Sequence, residues 1–171
     1  HGSSGPVGAW DDLTPTANEE SWGTSIGGTV DGPTNAGIGN NSLIYDYSVS
    51  DAIALKAAYK PSKSGGLESS TEVGIAYTGI DGLTVKAAMG ENNDLADQID
   101  LSVFSAVYAN GPITVGIQTN ESDRGTGTDE DFTAYGVSYA VNDDVSVSYG
   151  VSTLDYSSTL EDQESSAVSV S

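Results

Sequence analysis

From residue 42 onward apolar side chains recur at every second position, run after run, and this periodicity commits the chain to β-strands with two unlike faces. Leu43, Tyr45, Tyr47 and Val49 fall on one face, with Ser42, Ile44, Asp46 and Ser48 on the other. The same division separates Ile53, Leu55, Ala57 and Tyr59 from Ala54, Lys56, Ala58 and Lys60. It continues through Val73, Ile75 and Tyr77, through Leu83, Val85, Ala87 and Met89, and through Ile113, Val115 and Ile117. Tyr135, Val137, Tyr139 and Val141 follow, then Val145, Val147, Tyr149 and Val151, and a last run carries Val168 and Val170. Only Ile99 to Ala109 resists a register, because its apolar residues occupy both faces. The pattern predicts about nine strands, each close to the ~9–11 residues with which a tilted strand crosses a bilayer.

The connections alternate as regularly as the strands. Short turns are expected at 50–51, 79–82, 110–112 and 142–144, and longer polar loops at 61–70, 91–98, 120–131 and 155–164. Asp81-Gly82 is a strong hairpin signal. In an up-and-down meander every second connection lies at the same end, so one end is tightly turned and the other carries loops. Barrels of the bacterial outer membrane are built this way.

Opposite the Val/Ile/Leu/Tyr face lies one made mostly of Gly, Ala, Ser and Thr. A strand face that meets bulk water usually carries long charged side chains, whereas small residues leave space. A continuous apolar exterior is stable against lipid and an aggregation hazard in water. Lipid also demands that every backbone group be paired within the protein, which requires closure. The expected fold class is therefore all-β, an antiparallel up-and-down transmembrane β-barrel, with Lys56, Lys86, Glu72 and Gln118 on its lumen wall. About nine strands are few for a solute-conducting barrel. The last run, Ala167 to Ser171, stops in mid-pattern, so further strands are expected outside this stretch.

Residues 1–41 carry no strand pattern and precede a strand that starts at the long-loop end. Structureless loops of this size are uncommon unless functional. The expected division is thus a constriction-type loop over 1–41 that folds into the lumen, followed by barrel strands over 42–171. Asp11, Asp12, Glu19 and Glu20 would then face Lys56 and Lys86 across a narrow opening. Opposed carboxylates and ammonium groups set up a transverse field that biases ion passage. The competing view of this segment is an external loop solvated by its acids and anchored by Trp10 and Trp22.

Charge and composition remove other classes. Five Lys+Arg against 25 Asp+Glu give a net charge of −20, which excludes nucleic acid as a partner. The chain has no Cys and a single, terminal His, so thiol nucleophiles and histidine-dependent triads have no candidate. No Gly-rich loop followed by Lys-Ser/Thr is present to cradle a phosphate. No cofactor is expected beyond a weakly bound divalent cation. Its candidate ligands are Asp129, Glu130 and Asp131, or Asp94, Asp97 and Asp100, neither set at EF-hand spacing.

The run Ser69 to Val85, SSTEVGIAYTGIDGLTV, resembles the Gram-negative general porins of alphaproteobacteria, as do Tyr108 to Gly116 and Tyr135 to Ala140. The similarity runs through nearly the whole chain and identifies it as an internal fragment of such a protein. It implies a homotrimer of 16-stranded barrels in the outer membrane of a Gram-negative bacterium, with residues 1–41 in the place of the inward-folding third loop. It also implies small hydrophilic solutes and ions as the permeants, with lipid and lipopolysaccharide as the surroundings. The family sets arginines on the wall opposite the loop's acids; here the sole Arg, Arg124, falls in an expected external loop. The expected function is passive diffusion with cation preference and no enzymatic step. The alternative is a soluble extracellular β-sandwich, or an adhesin or surface-structural module with acidic, calcium-binding loops. In that case the apolar face would be buried against a second layer of the same molecule.

Overall fold

The computed structural model describes residues 5–10, 38, 41–62, 68–93, 98–125 and 127–170. Nine strands form one sheet in which each strand pairs antiparallel with its neighbours in chain order. They are β1 (Leu43–Ser50), β2 (Ile53–Lys60), β3 (Ser70–Ile80), β4 (Leu83–Asn92), β5 (Ile99–Asn110), β6 (Ile113–Arg124), β7 (Glu130–Asn142), β8 (Val145–Tyr156) and β9 (Gln163–Val170). A five-residue helix, α1 (Pro6–Trp10), packs against β2, β3, β4 and β5.

The short turns fall where the sequence puts them, and two show why. Gly111 has φ 57° and is followed by Pro112, whose ring holds φ near −65°. A positive φ followed by a negative one is the type II′ hairpin, whose twist matches that of the flanking strands. Gly82 has φ 75°, and a Cβ there would overlap the Ala109 carbonyl oxygen. The register slips between Tyr77 and Ile80, so this turn uses one left-handed residue and a bulge, not the two left-handed residues of a type I′ turn.

The loop end differs from expectation in extent. The loop expected at 120–131 shrinks to 125–129, because β6 runs to Arg124 and β7 starts at Glu130. Asn120 to Arg124 and Glu130 to Asp131 are polar on both faces, so their pairing leaves no hydrophobic alternation to read. Arg124 is correspondingly the last residue of β6 and not part of an external loop.

Burial across the sheet is inverted. Leu43, Tyr45, Met89 and Tyr135 are 54–73% exposed, whereas Glu72, Ser105 and Gln118 are at most 2% exposed. A water-soluble protein buries the first group and exposes the second. Among the described residues no second sheet covers the apolar face, so the sandwich alternative is not supported.

The register also shows how the apolar face is bounded. Towards the loops its last apolar residues are Tyr59 on β2, Met89 on β4, Phe104 on β5, Ile117 on β6, Val151 on β8 and Val168 on β9. The cross-strand row of Tyr59 reads Thr71, Glu91, Asp100 and Asp123 further along, and the row of Val73 and Met89 turns to Ser102, Glu121, Asp131 and Asp155. The border therefore slides down the strands as the sheet is crossed. The turns shift in the same sense, each hairpin reaching one cross-strand row further than the one before. Both borders move by about one residue per strand. A shift of ~3.3 Å along the strand per ~4.8 Å of sheet width corresponds to a band inclined at roughly 35° to the strands' normal.

Candidate functional site

The face opposite the apolar band collects every expected wall residue. Asp46, Lys56, Gly74 and Ala88 form one cross-strand row, and Ala76, Lys86, Ser105 and Gln118 form the next. Glu72 shares this face one row closer to the loops. Asp11, Asp12, Glu19 and Glu20 lie outside the described residues, so no geometry joins them to the lysines.

Each wall residue has a definite environment. Lys56 Nζ is 3.3 Å from Oδ1 of Asp46, directly across on β1. The sequence reading set Asp46 on this face without assigning it a role, yet it is the acid that Lys56 meets. Lys86 Nζ sits 5.7 Å from the centre of the Trp10 ring, within cation–π range. Gln118 is fully buried and its Nε2 donates to Asn120 Oδ1 at 3.2 Å, two residues along the same strand and face.

Glu72 does most to organise this face. Its Oε2 accepts the Val7 amide at 3.0 Å and its Oε1 accepts the Ile38 amide at 2.7 Å. The Gly5 amide donates to the Ile38 carbonyl at 3.0 Å, so the two ends of the intervening stretch meet at this carboxyl. A carboxyl buried to this degree is costly unless its oxygens are hydrogen-bonded, and here backbone donors satisfy both. Val7 packs with Ala88, Ile99, Leu101 and Val103, with Trp10 against the same cluster. This resolves the ambiguous strand. Near the loops β5 turns Ile99, Leu101 and Val103 inward because α1 covers that face, and towards the turn Phe104 and Tyr108 face outward, so its apolar residues change face along the strand.

Among the described residues, Asp129, Glu130 and Asp131 do not converge. Glu130 and Asp131 are adjacent in β7 and so point to opposite faces; Glu130 approaches Arg124 at 3.8 Å, while Asp131 lies between Glu121 and Asp155 on the outer face. Asp129 Oδ1 accepts the Arg124 amide at 2.9 Å, and its own amide donates to Ser157 Oγ at 2.8 Å. Among the described residues no three acids or histidines group as metal ligands. Asp94 and Asp97 lie outside those residues.

Among the described residues the geometry is that of a sheet with an apolar exterior and a polar, small-residue interior against which a short helix is fastened. Comparison with known proteins gives the same picture. The profile of the family described as Gram-negative porin matches residues 5–171. No curated protein sequence matches. The chain is also similar in structure to OmpTdeltaL8, a loop L8 deletion mutant of OmpT, an outer membrane protein of Vibrio cholerae. The TM-score is 0.57 at 19% identity, over 93% of this chain and 58% of that one. That likeness carries the fold alone.

Proposed function

The chain belongs to the Gram-negative porin family and resides in the outer membrane, and from that premise we propose that it forms part of a passive, cation-preferring diffusion channel for ions and small hydrophilic solutes. The observation that carries this reading is the inclined apolar band. Strands of membrane barrels tilt by roughly 35–45°, so a bilayer slab drawn across them must shift along successive strands as this band does. On β2, β4 and β8 the band holds four outward residues. Projected on the membrane normal, such a stretch covers roughly 20 Å, close to the ~25 Å apolar belt of outer-membrane barrels.

In this reading the Gly/Ala/Ser/Thr face lines water, and selection is by width and field with no covalent step. Among the described residues the sheet's edge strands β1 and β9 pair on one side only. Lipid does not satisfy such edges, so the chain's partners in closure are further strands. The resemblance to alphaproteobacterial general porins supplies sixteen strands, a homotrimer and a lipopolysaccharide-rich setting as the natural form.

Net charge of −20 favours cations in the vestibule. The test is the reversal potential of the full-length protein in planar bilayers under a salt gradient. The sign expected is that of cation preference, and an anion-selective pore contradicts it. Lys86→Glu is expected to move the potential further towards cations, and no movement would remove Lys86 from the lumen.

A further inference from the structure

We propose that Glu72 is a positioning residue that clasps α1 and Ile38 to the wall and so sets the free width of the lumen beside Lys86; the consequence for the lumen rests on the porin reading above. Glu72 lies on β3, 65 residues from Val7 and 34 from Ile38 in sequence, and accepts an amide from each. The amide of Val7 belongs to the first turn of α1, where helical partners are lacking. One side chain thus satisfies a helix end and the return of the chain at once.

The wall is shaped to receive this clasp. A Cβ on Gly5 would overlap the Glu72 carboxyl, one on Gly90 would press on the Glu72 side chain, and one on Gly74 would enter the Trp10 ring and Pro6. Three glycines therefore clear space for the carboxyl, its approach and the helix. The apolar contacts of Val7 give α1 adhesion, but hydrophobic contact is non-directional. The two hydrogen bonds fix its position along the wall, and with it the place of Trp10 over Lys86.

The test compares Glu72→Ala and Glu72→Gln in the full-length protein by amide hydrogen exchange and single-channel recording. Glu72→Ala is expected to raise exchange at Val7 and Ile38 at least tenfold while strand amides of β6 to β8 stay unchanged. Glu72→Gln keeps one carbonyl oxygen, and is expected to protect one of the two amides and not both. Conductance is expected to change in Glu72→Ala, with Glu72→Gln between it and the parent. Unchanged exchange at both amides, or an equal rise throughout the strands, overturns the clasp. Altered exchange with unaltered conductance overturns its control of the lumen. A parent protein that conducts nothing defeats the porin reading, while the exchange data still decide the clasp.

Discussion

At Asp129 a single carboxylate closes the connection between β6 and β7. It accepts the Arg124 amide, and that bond holds its pKa below the ordinary carboxylate value. A depressed folded-state pKa stabilises the folded form at pH values above the unfolded pKa, and the contribution disappears as pH falls through the folded one. Asp129→Asn is therefore expected to lower the unfolding midpoint at neutral pH and to match the parent in strong acid. A deficit that persists unchanged into acid would mean that the amide bond, and not the charge, is what the substitution removes. Legibility at this scale was mixed. The alternation set Lys56, Lys86, Glu72 and Gln118 on one face, as the register places them. It gave no sign that Glu72 binds Val7 and Ile38, because backbone amides from distant segments leave no mark on residue type.

The strands were readable wherever their two faces meet unlike surroundings. β8 is the clearest, with Val145, Val147, Tyr149 and Val151 against Ser146, Ser148, Gly150 and Ser152. β5 was not, because Ile99, Leu101 and Val103 face α1 while Phe104 and Tyr108 face outward, so apolar residues serve both sides. The ends of β6 and β7 were lost for the opposite reason, being polar on both faces. α1 is only five residues long, less than two turns, and so presents no helical period to detect. The inclined band makes a sharp prediction for single strands. Val115, in mid-band on β6, is expected to lose about 2–4 kcal/mol on substitution by Arg, and Glu121, beyond the border on the same face, about 0–1 kcal/mol. Reversible unfolding from lipid vesicles measures both. Equal costs at the two positions would place the border elsewhere.

For the molecule as a whole, the deciding property is which solvent each face meets. The exposed apolar residues and buried Ser, Gln, Asn and Glu make sense if hydrocarbon lies outside and a polar interior lies within. The proposed closure by further strands and the proposed cation preference rest on that arrangement and on the excess of acids. The stretch contains no Cys, so single cysteines can be introduced and labelled one at a time along β8. In the refolded, membrane-inserted full-length protein, fluorophores at Val147, Tyr149 and Val151 should be quenched by lipid-borne quenchers. Labels at Ser146, Ser148 and Ser152 should escape them. That two-residue alternation is the predicted result, and quenching that ignores the alternation, or that favours the serine face, would contradict the account.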